Sequence, residues 1–81
     1  MGEYPYFPIF IDLSEKKILV IGAGKIARRR ITVLCRFTPN LTVIAPDSLP
    51  EVEALAEEGT IRLLRKSYEK EDIEGADIVF A

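Results

Sequence analysis

The chain has 81 residues, 48% of them hydrophobic and 30% charged, with a formal net charge of −2, one cysteine and no histidine. That length allows at most one domain, which buries only about 60 to 65 per cent of its unfolded surface and so has a thin stability margin. The composition excludes a basic nucleic-acid or membrane-surface footprint, an internal disulfide and histidine-based metal ligation, and it fits a reducing cytoplasm.

The opening MGEYPYFPIF has no basic n-region and is interrupted by Pro5 and Pro8, so it does not read as a signal peptide. No run approaches the roughly 18 apolar residues of a membrane span. From Tyr4 to Leu13 the chain is aromatic and apolar but broken by proline, which predicts an extended arm lying over a hydrophobic surface and shielding core edges, rather than touching ligand. Asp12 to Lys16 reads as a polar turn.

Next comes the stretch around which the rest is organised. Ile18-Leu19-Val20-Ile21 are four large aliphatics in a row, as in a strand buried on both faces, and they run into Gly22-Ala23-Gly24-Lys25-Ile26-Ala27, a GxGxxA turn. A helical pattern follows from Lys25 to about Phe37. In this order Gly22 permits the tight turn, Gly24 lets backbone approach a pyrophosphate, and small Ala27 lets the helix pack on the strand, while the free N–H groups and dipole of the helix start face the anion. Glycines after strands also occur for steric reasons alone. The strand before and the helix after are what favour the nucleotide reading.

Along the helix, Ile26, Ala27, Ile31, Val33, Leu34 and Phe37 form the predicted apolar face, with Cys35 beside it as a small hydrophobe rather than a reactive thiol. Arg28-Arg29-Arg30 reads either as a solvated helix face or as an attractor of anionic cofactor or polycarboxylate groups. Thr38-Pro39-Asn40 is expected to stop the helix, with Asn tolerating a left-handed cap. Leu41 to Ala45 is a second strand. Beyond it Asp47, 20 residues past Ala27, has two readings: acceptor for the adenosine ribose hydroxyls, or, with Ser48, cap of the next helix. Ala45-Pro46 leaves NAD against NADP open.

Leu49 to Glu58 predicts a second helix, with Pro50 in its first turn, Glu51 and Glu53 matching the dipole, Val52, Leu55 and Ala56 on one face, and Gly59 as the stop. Thr60 to Leu64 is a third strand, Glu69 to Ile73 a short helix, and Ala76 to Ala81 a fourth strand. Alternating β and α elements with short turns predict an α/β fold with a parallel sheet of order 3-2-1-4, one Rossmann-type domain over residues 1–81, with ligand at the carboxyl ends of strands 1 and 4. Strand 4 would be a bare edge. That edge predicts either a sheet truncated from a longer protein or pairing with a second copy.

Pro8-Ile9-Phe10-Ile11-Asp12-Leu13, the run Ile18 to Arg30, and Leu41 to Pro46 together resemble the N-terminal domain of the siroheme synthase family, the precorrin-2 dehydrogenases and sirohydrochlorin ferrochelatases. The resemblance covers about Tyr6 to Ala81. The family has a PxFxxL arm, a glycine triplet, then Val or Ile, Ala, and a basic pair one residue later; Ala23 stands here for the middle glycine. The resemblance implies a cytoplasmic homodimer that uses NAD to oxidise the tetrapyrrole precorrin-2 to sirohydrochlorin, in some members followed by Fe²⁺ insertion. By matching position, Gly22, Ala23, Gly24, Lys25 and Ile26 would line the pyrophosphate turn and Pro46 and Asp47 the adenosine pocket. The basic pair falls on Arg29 and Arg30, with a structural or electrostatic role.

The family's fourth strand runs into an Ala-Thr-Asp/Asn-Asp/Asn loop whose aspartate is implicated in dehydrogenation and chelation, and the sequence ends at Ala81, before that loop. No residue here is therefore assigned as catalytic. Asp77, at the opposite end of the strand, does not replace the missing acid. The implied outcome is a nucleotide half-site that does not turn over alone. A nucleotide-sensing Rossmann module is the alternative, although such modules place an acid directly at the end of strand 2, where Ala45-Pro46 stands. A methyltransferase fits less well, since no acid occupies the strand before Gly22.

Overall fold

A computed structural model describes Gly2, Glu3, Pro5 and residues 8–81. Four parallel strands, β1 (Ile18–Ile21), β2 (Leu41–Ile44), β3 (Arg62–Leu64) and β4 (Ile78–Phe80), form one sheet in the order β3-β2-β1-β4. Two α-helices, α1 (Lys25–Leu34) and α2 (Pro50–Glu57), connect β1 to β2 and β2 to β3. A short 3-10 helix at Lys70–Ile73 lies on the way from β3 to β4. This is the doubly wound α/β order expected from the sequence, with the reversal of winding between β1 and β4.

In register, Ile18 pairs with Leu41 and Ile78, and Val20 pairs with Val43 and Phe80. Side chains alternate across a strand, so these residues share a face, and α1 and α2 cover it. Ile18, Val20, Leu41, Val43, Ala45, Ile31, Leu34, Val52 and Ile61 make the core there. Leu19 and Ile44, on the other face, are also buried. The aliphatic run of β1 is therefore enclosed on both sides, as its lack of alternation predicts.

Helix α1 is shorter than its pattern. It ends at Leu34, with Cys35 as C-cap and the amides of Phe37 and Thr38 turning back to the carbonyl of Leu34. Its buried stripe is Ala27, Ile31 and Leu34, while Ile26 at 71%, Val33 at 53% and Phe37 at 57% exposure point outward. Spacing of four and three along one stripe excludes Val33, which lies two positions from Ile31. Thr38 is buried instead, its hydroxyl donating to the Lys16 carbonyl at 3.2 Å and accepting from the Asn40 amide at 3.1 Å. A side-chain-bonded turn thus ends the helix, and Asn40 takes no left-handed conformation among the described residues.

The amino-terminal arm departs further from expectation. Tyr4, Tyr6 and Phe7 lie outside the described residues, and of the rest Phe10 is fully exposed and Ile9 and Ile11 largely so. Among the described residues of the arm only Leu13 packs on the core. The first anchor is the Asp12 turn, whose carboxylate accepts the Ser14 amide at 2.9 Å and hydroxyl at 2.7 Å. The described residues 8–11 before that turn are exposed rather than packed over the sheet.

Candidate functional site: the glycine turn and the carboxyl ends of β1 and β4

The Gly22 amide donates to the Ile44 carbonyl at 2.9 Å, carrying the β1–β2 ladder one residue past the strand. The chain then bends sharply, with Gly22 at φ 110°, a left-handed conformation that side-chain-bearing residues rarely adopt. An added Cβ there would meet the Ala27 Cβ at 3.9 Å, an ordinary contact, so backbone conformation rather than crowding requires glycine. Ala23 is buried in the core, and its carbonyl accepts the Leu49 amide at 3.2 Å, tying the turn to the start of α2.

Gly24 is the N-cap of α1, and its φ of −84° is open to any residue. An added Cβ would meet no protein atom within 4 Å. No side chain caps α1, and its first turn holds no acidic residue. The leading amides of a helix lack intrahelical acceptors and carry the positive end of its dipole, and here Lys25 adds a further positive charge. An open hollow of about 460 Å³ lies at this helix start, lined by Val20, Ile21, Gly24, Lys25, Ile26, Ala27, Arg30 and Ala81. Ala81 directly follows β4, so the hollow sits where the winding reverses.

Of the residues expected from sequence, Gly24, Lys25 and Ile26 line this hollow. Gly22 and Ala23 form the bend behind it, Ala23 with its side chain turned into the core. Pro46 and Asp47 are exposed beyond the carboxyl end of β2, outside the hollow. Asp47 does not cap α2: the N-cap is Leu49, with no side-chain cap, and Ser48 donates instead to Glu53. Arg65, just past β3, also bonds Glu53. The Arg65 guanidinium first, and the Ser48 hydroxyl second, hold the Glu53 carboxyl below the usual glutamate range, and Glu53 raises Arg65 in turn. The Ser48–Glu53–Arg65 trio escapes sequence reading, since Glu53 and Arg65 meet only once β2 and β3 are paired, and the basic pair that includes Arg30 is visible in sequence while its contact with Ala81 is not. The signal available for Arg30 is its position four residues after Ile26, on the same side of α1.

A larger hollow of about 560 Å³ runs along β2 and β3 and under the β3–β4 connection, lined among others by Leu19, Asn40, Thr42, Thr60, Leu64 and Asp72. Its glycines, Gly59 and Gly75, both at positive φ, lie in the turns after α2 and after the 3-10 helix, and among its lining residues none opens an α-helix. Asp77, expected to lie away from the site, bonds at the amino ends of the strands: its carboxylate accepts the Lys17 amide at 2.8 Å and its own amide donates to the Lys17 carbonyl at 2.8 Å. Cys35 is half-buried against the core, its thiol donating to the Thr32 carbonyl at 3.3 Å. Among the described residues no three His, Cys, Asp or Glu side chains come together to hold a metal ion, and no helix is long and apolar enough to cross a membrane.

Sheet order, glycine bend and open helix start define a Rossmann-type dinucleotide-binding domain. Residues 9–81 match the family NAD_binding_7, described as "Putative NAD(P)-binding", and the chain belongs to it. The relatives it matches include siroheme synthases and a precorrin-2 dehydrogenase. It is 40% identical over 75 residues to the siroheme synthase of Pseudoalteromonas atlantica, covering 93% of this chain and 16% of that protein. It is 35% identical over 74 residues to the precorrin-2 dehydrogenase of Bacillus subtilis, covering 91% and 46%. A solved structure titled "SirC, precorrin-2 dehydrogenase" superimposes with a TM-score of 0.87 at 32% identity, covering 94% of this chain and 39% of the other. The chain thus spans less than half the length of these relatives.

Proposed function

We propose that this chain is the cofactor-binding, N-terminal part of a cytoplasmic, homodimeric precorrin-2 dehydrogenase, which oxidises precorrin-2 to sirohydrochlorin with NAD in siroheme biosynthesis. The observation that carries the cofactor reading is the empty space over Gly24 at an uncapped helix start. Neither φ nor packing requires glycine at that position, whereas a pyrophosphate in contact with the backbone does. The amides from Gly24 through Ile26 hold the diphosphate, with Gly22 and Ala23 supporting the bend. Pro46 and Asp47 border the adenosine.

NAD is favoured over NADP on electrostatic grounds. Asp47 offers a carboxylate to ribose hydroxyls and repels a 2′-phosphate, and the nearby cation Arg65 is already neutralised by Glu53. When bound, the nicotinamide supplies the hydride acceptor, and the residues of this chain bind and orient the dinucleotide. The tetrapyrrole reading rests on family membership. A chimera in which residues 9–81 replace the matching segment of the Bacillus subtilis precorrin-2 dehydrogenase tests it: NAD-dependent oxidation of precorrin-2 is expected. A folded chimera that binds NAD but does not oxidise precorrin-2 would favour a nucleotide-sensing module.

A further inference from the structure

The three consecutive arginines of α1 have three different surroundings. Arg28 faces Glu51 of α2 at 3.6 Å. Arg29 is exposed and makes no ion pair or side-chain hydrogen bond among the described residues. Arg30 reaches across to the sheet, where its Nη1 donates to the Ala81 carbonyl at 2.9 Å and its guanidinium carbon lies 5.9 Å from the centroid of the Phe80 ring. Arg30 and Ala81 both line the hollow over Gly24.

Among the described residues β4 is an edge strand, paired only with β1, and its register ends at Val20 opposite Phe80. Ala81 therefore lies past the last paired residue. An arginine offers several donors in a rigid plane that bonds a carbonyl and stacks on an aromatic face together, which a lysine ammonium does less well. We infer that Arg30 is a positioning residue of the cofactor crevice: it clamps the segment leaving β4 onto α1, fixing the crevice wall opposite Gly24. This deepens, and rests on, the nucleotide-binding reading. It also separates Arg30 from Arg29, a distinction that a general attraction of anions by the basic run would not make.

The test uses the isotopically labelled chain as wild type, Arg30→Ala, Arg30→Lys and Arg29→Ala, with urea midpoints confirming that each folds. In Arg30→Ala the Phe80 ring and Ala81 amide resonances should shift and the Phe80–Ala81 backbone should lose order. The dissociation constant for NAD should rise roughly three- to tenfold, the size of one lost hydrogen bond. Arg30→Lys should recover part of both effects, and Arg29→Ala should show neither. An unchanged Ala81 signal in Arg30→Ala overturns the clamp, as does equal weakening of NAD by Arg29→Ala, or a freed Ala81 with unchanged NAD affinity. Failure of the wild type itself to bind NAD overturns the nucleotide reading and the clamp's role with it. The wild-type titration thus tells the two failures apart.

Discussion

Gly22 and Gly24 stand two residues apart in one turn and are glycines for opposite reasons. Gly22 answers to the backbone, with φ at 110°, while Gly24 has an unstrained φ of −84° and open space where a Cβ would sit. The first requirement belongs to the fold and the second to a ligand. Gly22→Val should therefore destabilise the chain by about 1 to 3 kcal/mol through strain. Gly24→Val should cost only about 1 kcal/mol as a poorer N-cap yet abolish NAD binding. Urea midpoints and NAD titration of both variants check the contrast, and unchanged affinity in Gly24→Val would remove the turn from the site.

The core prediction concerns Ile31, fully buried between α1 and the sheet. Ile31→Ala should cost about 2 to 5 kcal/mol, against a total stability of about 4 to 12 kcal/mol for a chain of this length. Equilibrium unfolding should show this as a lowered urea midpoint, and a midpoint equal to wild type would contradict the packing of Ile31. Phe37→Ala, at a position the sequence pattern places on the same face but which is exposed, should change stability by less than about 0.5 kcal/mol.

That pair shows what the sequence makes legible. Strand order, the glycine bend and the helix behind it follow from an unbroken aliphatic run and short connections, because those signals are local. The end of α1 does not follow, since it is set by the Thr38 hydroxyl bonding Lys16 from 22 residues away. At residues 8–11 the arm is exposed rather than covering, because apolar content says that a segment seeks burial, not where the Asp12 turn that follows directs it. In the site, Gly24, Lys25 and Ile26, proposed to hold the pyrophosphate, are visible as a motif. The contact of Arg30 with Ala81 and the Glu53–Arg65 pair are not, because each needs a partner brought from elsewhere in the chain.

Cofactor choice gives a further prediction. The Ala45 amide bonds the Leu64 carbonyl at 3.1 Å, so Arg65 emerges beside the end of β2, where Glu53 holds it. Glu53→Gln should free Arg65 for a 2′-phosphate and narrow the preference for NAD over NADP several-fold. Competition titrations of the two dinucleotides measure it, and an unchanged ratio would exclude Glu53 from the discrimination.

Stability should also fall in acid. Glu53 is held down by Arg65 and Ser48, Asp72 by Lys66 and the Glu69 amide, and Asp12 by the Ser14 hydroxyl and amide. A carboxyl whose folded pKa lies below its unfolded value contributes stability above the unfolded value and loses it as pH falls through the folded one. The unfolding midpoint should be flat from neutral pH to about pH 5 and decline from about pH 4 downward. Because Asp12 is exposed and Glu53 and Asp72 are only half-buried, the decline should be modest and weaken further in high salt. A midpoint that rises on acidification would contradict the assignment.

The most direct test of the central claim is a titration of the labelled chain with NAD followed by amide resonances. Binding to the glycine turn predicts saturable shifts clustered at the amides from Gly22 to Ala27, with half-saturation at roughly 0.1 to 5 mM, since this length of chain supplies only part of the contacts that offset ordering of the ligand. Shifts centred instead on the hollow around Asn40, Thr60 and Asp72, or none up to about 10 mM, would contradict it.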